Sequence, residues 1–155
     1  MTDEIYSKSA LFFFLLTLDD KIAIEESTKT IEQIKYQIEQ NSKNSALENY
    51  NILIMISCCL NQWKILRTKF HKDHIQIITS KALTWPEHLD LNPWKEFQKR
   101  APENELIAVT WVHLLGISES ILAKCLNVSV GTIRYRVGKG LSLLGQLNRP
   151  NVSSI

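Results

Sequence analysis

The sequence holds only five glycines, none before Gly116, and four prolines in 155 residues. Two-residue hairpins need positions at positive φ, which glycine fills at least cost. Most of the chain therefore lacks the punctuation of antiparallel sheet, and it reads as all-α. Cysteine is also sparse: Cys58 and Cys59 are adjacent inside the apolar run "YNILIMISCCL", and Cys125 stands alone. An odd, partly adjacent set makes no disulfide framework and predicts reduced, packed thiols in a cytoplasmic protein. No long hydrophobic run occurs. The "ALFFFLLTL" stretch spans nine residues, against the roughly 20 that cross a bilayer. Asp3 and Glu4 precede it and no small-residue cleavage site follows, so it predicts a core helix without a signal sequence or a membrane partner.

A strong net charge is missing too. Lys plus Arg number 18 against 16 Asp plus Glu, for a net +2. The distribution carries more information. Residues 1–50 hold nine acids and five bases, residues 51–100 four and eight, and residues 101–155 three and five. An acidic front followed by a basic middle and end permits a polyanionic partner for the later part. With 45% apolar and 22% charged residues, the composition is that of a globular chain.

The patterning predicts a first helix over 5–18, then Asp19 or Asp20 as N-cap of a second over 21–40, where Ile24, Ile31, Ile34 and Ile38 recur at helical spacing. "NSKNS" breaks the pattern, and a third helix is expected over 46–70, ending in Lys64, Arg67, Lys69 and Lys72. Pro86, Pro93 and Pro102 each restrict the residue before them. Residues 73–101 are accordingly expected to form a linker with short helical pieces, anchored by Trp85 and Trp94. This gives an N-terminal domain over 1–72, a linker over 73–101 and a C-terminal domain over 102–155.

The last third is the most readable. Acids follow Pro102, Leu106, Val109, Val112 and Leu115 form one face, and Gly116 stops the helix. Ser118 can cap "ESILAKCL", Asn127 tolerates the left-handed conformation of a tight turn, and Ser129 can cap a final helix. Ala123 is small enough to let the two helices approach, and Ile133 with Val130 and Val137 forms the buried stripe. That is a helix-turn-helix pattern. It leaves Thr132, Arg134, Tyr135, Arg136 and Lys139 outward, where the helix end and Ser129 suit a phosphate and arginine suits guanine or phosphate. A solvated basic face on a packing helix is the plainer reading of the same residues. Gly138 and Gly140 each cost a helix interior about 0.5–1 kcal/mol relative to Ala, so this helix is expected to fray or end early.

The segment "ENELIAVTWVHLLGISESILAKCLNVSVGTIRYRVGKGLSLL" resembles region 4 of the extracytoplasmic-function sigma factors of the sigma-70-like family. "ILAKCLNVS" stands for the family's I-A-E-I-L-G-I-S and "SVGTIRYRV" for S-V-G-T-V-K-S-R-L. The resemblance implies that this helix reads the promoter −35 element through Ser129, Thr132, Arg134, Tyr135, Arg136 and Lys139. Where the family carries a basic run after S-R-L, this chain has "VGKGLSLLG", which keeps Lys139 alone. The front of the chain resembles family region 2 more distantly. "LDDKIAIEESTKTI" keeps Asp19, Ala23 and Thr30 but loses the D-L-V-Q core, in a helix that in the family contacts the polymerase clamp. "ISCCLNQWKILRTKF" stands where a basic helix meets the −10 element, which implies DNA contacts for Lys64, Arg67 and Lys69.

The reading that follows is a sigma-factor-like regulator that binds promoter DNA and core RNA polymerase, with an anti-sigma or signalling protein as a further partner and no cofactor. Two alternatives stay open: a sigma-like protein-interaction module, anti-sigma or adaptor that has lost promoter recognition, and a dimeric helix-turn-helix repressor or activator. Other residues offer less. His71, Asp73 and His74 lack a third metal ligand at suitable spacing and read as solvated. Cys58 and Cys59 face different sides of a helix, and His113 reads as a partly buried packing residue. No phosphate-binding glycine loop or activated nucleophile appears, so no enzyme and no metal site is expected.

Overall fold

The computed structural model describes residues 2–41, 43, 49–72 and 90–149, with side chains of the third helix described as far as residue 69. It is all-α, and no strand occurs among the described residues. The chain divides into two compact units, Met1–Thr84 and Trp85–Ile155.

In the first unit, α1 (Asp3–Thr17) and α2 (Asp20–Gln40) form an antiparallel pair, against which α3 (Tyr50–Lys72) packs. The "ALFFFLLTL" run is a core helix: Phe12 and Phe13 are fully buried, edge to face with ring centroids 5.2 Å apart. The connection is two residues long. Leu18 takes φ 52°, its N–H bonded to Phe14 O at 2.7 Å, and Asp19 Oδ1 accepts from Ile22 N at 3.0 Å as the N-cap of α2. Of the two candidate caps, Asp19 is the one used.

The inward face of α2 differs from the isoleucine stripe expected from spacing. The buried residues are Ala23, Glu26, Ser27, Thr30 and Ile34, whereas Ile24 is 67% exposed and Ile31 and Ile38 are half-buried. Both sets have helical periodicity, and only packing decides between them. Ala23, Ser27 and Thr30 are small, which suits close apposition to neighbouring helices. Glu26 has its own partners: Lys29 Nζ lies 2.9 Å from Oε1, and Gln62 Nε2 on α3 donates to Oε2. A buried carboxylate is tolerable only when it is paired and hydrogen-bonded in this way.

Along α3, Ile54, Met55, Ile56, Cys58, Cys59, Trp63 and Leu66 are buried. The two cysteines are free thiols. Burial pushes the Cys59 thiol up to about 12, opposed by the neighbouring Ser9 hydroxyl and reinforced by Cys58. The neutral, unreactive thiol is therefore the resting form, consistent with a packing role.

In the second unit, α4 (Asn92–Arg100) lies inside the span read from sequence as linker. Pro93 falls in its first turn, where a missing N–H costs nothing, and Asp90 Oδ1 accepts from Asn92 N at 2.9 Å. Trp94 and Phe97 are buried, with ring centroids 5.3 Å apart, on a helix that packs against α7 (Val130–Leu147). Trp85 and the Asp73–His74 segment lie outside the described residues, as does the His71 side chain.

Helix α5 (Glu103–Ala108) continues as a π-helical segment over Val109–Leu114. Leu115 N reaches Thr110 O at 2.9 Å, and Ile117 N reaches Trp111 O at 2.9 Å. Gly116 then takes φ 71° and ends the helix as expected. Leu106 through Trp111 are all buried, so this helix is enclosed rather than amphipathic. The wider turn changes the register of its last residues. His113, expected to be partly buried, is exposed beside Leu114.

Helix α7 corrects a further expectation. It does not fray at Gly138 and Gly140 but runs unbroken to Leu147. Gly140 is buried where α7 crosses α5 and α4: a Cβ there would overlap Val109 Cγ2 and lie 3.4 Å from Glu105 O and 3.5 Å from Phe97 Cζ. Tertiary contact overrides the propensity cost, as it commonly does in folded helices. Gly138 faces open space, with nothing within 4 Å of its would-be Cβ.

Two outcomes follow for chemical denaturation. Glu26→Ala leaves the buried Gln62 amide unpaired and is expected to cost about 1–3 kcal/mol, while Glu26→Gln, which keeps an acceptor, costs less. Gly138→Ala is expected to stabilise by up to about 1 kcal/mol through helix propensity, and Gly140→Ala to destabilise by about 1–3 kcal/mol through overpacking. Equal effects of the two glycine substitutions would refute the assigned crossing.

Candidate nucleic-acid interface

The second unit closes on α6 (Glu119–Leu126) and α7, joined by Asn127–Ser129. Each bend is fixed locally. Ser118 Oγ accepts from Ile121 N at 3.3 Å as the N-cap of α6. At its other end Asn127 takes φ 54°, and Val128 N bonds back to Ala123 O at 3.0 Å, a left-handed closure that satisfies a terminal carbonyl. Ser129 Oγ accepts from Thr132 N at 3.1 Å and lies 2.8 Å from Thr132 Oγ1. The side chains expected to set the turn are the ones that set it.

Between the two helices, Leu122, Ala123 and Ile133 are buried. The expected stripe of Val130, Ile133 and Val137 is corrected in part: Ile133 is fully buried, Val137 half-buried and Val130 exposed. Val130 is the first residue of α7, beyond the seam, and Gly140, seven residues after Ile133, carries the buried face onward.

The expected contact residues occupy the other side. Ser129, Arg134, Tyr135 and Lys139 are exposed, Tyr135 to 65%, while Thr132 and Arg136 are half-buried. Arg134, Tyr135, Gly138 and Lys139 share one outward face at i, i+1, i+4 and i+5, clear of the seam. This face offers only hydrogen-bond donors, one phenol and positive charge, a chemistry suited to recognising a polyanion rather than transforming a substrate.

One residue of the interface escaped the sequence reading. Glu119, the first residue of α6, accepts from Arg134 Nε through Oε2 at 3.0 Å, a pair that crosses between the helices. The two lie 15 residues apart, so no helical spacing relates them; only the folded turn brings the carboxylate to the guanidinium.

In the first unit, Lys64 and Lys69 are exposed on α3 and Arg67 is half-buried. Ile65 lies exposed beside Lys64, and Thr68 donates its hydroxyl to Lys64 O at 2.9 Å. Lys69 sits within electrostatic range of Glu25 on α2, whose carboxyl is held below its usual range first by Lys29 and then, more weakly, by Lys21 and Lys69. Among the described residues no three His, Cys, Asp or Glu side chains are placed to hold a metal ion, and no helix is long and apolar enough to cross a membrane.

No protein-family model matches the chain, and no curated protein matches its sequence. Its fold is similar to that of the sigma factor RpoE from Bartonella quintana, solved in complex with the anti-sigma factor NepR. The TM-score is 0.68 over 94% of each chain, at 18% sequence identity. The class defined by this likeness is an all-α, sigma-factor-like fold.

Ser129→Ala is expected to remove the cap of α7 and to cost about 1 kcal/mol of stability, read by thermal unfolding followed through helical circular dichroism. Ser129→Asp, which restores an acceptor, is expected to recover most of the loss.

Proposed function

We propose that this protein is a sigma-factor-like transcription regulator without enzymatic activity, acting in the cytoplasm. Its second unit binds promoter DNA by laying the N-terminal part of α7 in the major groove. The observation that carries this reading is the α6–α7 geometry: both helix starts are serine-capped, the turn closes on a left-handed Asn127, and the opposite face presents Arg134, Tyr135 and Lys139 to solvent. Arg136 and Thr132 flank that face, and Ser129 at the helix end suits a phosphate.

The first unit docks on core RNA polymerase through its helical surface, and Lys64, Arg67 and Lys69 supply secondary DNA contacts. The mechanism is positional. A modest DNA affinity joined to polymerase affinity in one chain raises the effective concentration of polymerase at a promoter set. The likeness to a sigma factor over nearly the whole chain supports joining the two roles.

A second reading is favoured by the state of that neighbour, which was solved with an anti-sigma factor. A protein partner of that kind is proposed here as the regulator that withholds the chain from polymerase or DNA. A chain that binds such a partner and no longer reads a promoter remains the competing function.

The test is co-purification from the native cell with RNA polymerase subunits and cross-linked DNA both scored, beside the Arg134→Ala plus Arg136→Ala double variant. The expected result is polymerase with a discrete set of promoters, and a variant that keeps polymerase but loses DNA. The expected loss is about 1–3 kcal/mol for each base-contacting arginine. Polymerase-free, DNA-free recovery with a protein partner alone would establish the competing function.

A further inference from the structure

The charged contact between Glu119 on α6 and Arg134 on α7 is more informative than its strength. Arginine has five N–H donors in a rigid fork: one on Nε and two on each terminal nitrogen. In Arg134 the Nε–H is engaged by Glu119 Oε2 at 3.0 Å. The Arg134 side chain is nevertheless 72% exposed, whereas that of Glu119 is 32% exposed. The carboxylate is thus the more sheltered partner, and most of the Arg134 side chain stays open to solvent.

The helix starts that carry the pair are both fixed. Glu119 is the first residue of α6, immediately after its Ser118 cap, and Arg134 lies in the turn of α7 that follows the Ser129 cap. Ile133, directly before Arg134, is fully buried. Both ends of the pair are therefore carried on backbone that the helix-turn-helix holds still.

We infer that Glu119 is a positioning residue that sets how Arg134 reads DNA: by occupying Nε it blocks the sideways approach through Nε and one terminal nitrogen, and leaves the end-on approach through both terminal nitrogens. The ligand chemistry is a guanine edge in the major groove, which presents two adjacent acceptors, O6 and N7, matched to those two donors. The inference rests on the DNA-binding reading above and adds a residue to it. Glu119 also places a negative charge beside the interface, which weakens attraction to phosphate regardless of sequence. Its net effect is lower affinity and sharper specificity. Removal of water from the interface on binding strengthens the pair, because both charges then lie in a lower dielectric.

The experiment uses the full chain and a pool of DNA duplexes with a randomised centre, selected in parallel by the native protein and by Glu119→Ala, Glu119→Asp and Arg134→Ala. Arg134→Ala identifies the base pair read by Arg134 as the position whose guanine preference it abolishes. Glu119→Ala, which removes the acceptor, and Glu119→Asp are expected to relax preference at that same position by about tenfold. Aspartate keeps the charge but falls short of Arg134, so it separates reach from charge. Glu119→Ala is also expected to bind an unselected duplex several-fold more tightly, with a log–log salt slope steeper by about 0.9 as the freed arginine takes a phosphate. Circular dichroism checks that each variant keeps its helical content.

A readout without DNA accompanies these. The Arg134 Nε–H should exchange with water more slowly in the native chain than in either Glu119 variant. Undiminished guanine preference in both Glu119 variants would overturn the inference, as would an Arg134→Ala profile identical to the native one. Equal Nε–H exchange in all forms would overturn it independently. If the native chain retains no duplex even at low salt, the DNA-binding reading itself fails and the inference falls with it. That outcome is distinct because the native protein is then as silent as its variants.

Discussion

Helix α7 is held along one face, by Ile133 and Gly140, so that its other face can be offered to solvent. The contact that achieves this is a bare one: Gly140 lies against Val109 of the π-helical segment, close to the Glu105 carbonyl and the Phe97 ring, with no room for a methyl group. Because the backbones approach so closely there, α4 and α5 both reach α7 in the second unit. Trp94 and Phe97 fill the space on one side and the Leu106–Trp111 stretch on the other. Nothing comparable encloses Arg134, Tyr135 or Lys139. The division of this helix into a packed face and an open one therefore depends in part on a glycine whose intrinsic propensity opposes the helix.

The first unit is organised by a different constraint. Its central contact between α2 and α3 is polar, a carboxylate of Glu26 held between Lys29 and Gln62. A buried pair of this type is weak evidence for stability, because desolvation of the charge offsets much of the attraction. It does restrict how α3 can slide along α2, since a shift would part the Gln62 amide from the carboxylate and leave the carboxylate with Lys29 alone. The small inward residues Ala23, Ser27 and Thr30 are the companion of that contact, and they displace Ile24 to the surface. Ile24 is accordingly 67% exposed although it belongs to an isoleucine series at helical spacing.

How much could be read in advance depended on the range of the interaction. Caps and turns were legible because their partners lie within a few residues: Asp19 with Ile22, Ser118 with Ile121, Ser129 with Thr132, Asn127 with its own backbone. The apolar face of α2 was misread because two stripes of equal periodicity compete there, and the choice belongs to the neighbouring helices. α4 was legible only as one of the short helical pieces of the linker, because Pro93 is a breaker in the middle of a helix and a starter at its beginning. The outward turn of His113 was unreadable because a π-helical segment leaves no simple spacing signal.

The candidate interface divides in the same way. Its residue types, Ser129, Thr132, Arg134, Tyr135, Arg136 and Lys139, could be named from the chain because a capped helix with one buried face must present the rest to solvent. Sequence by itself also determined the all-α class, through the scarcity of glycine and the helical spacing of apolar residues. Only the tertiary structure decided that Glu119 meets Arg134 and that Gly140 is a contact rather than a flaw. The reason is physical: local hydrogen bonds and periodicity act over one or two turns, whereas a carboxylate 15 residues away or a backbone crossing exists only after separate helices have packed.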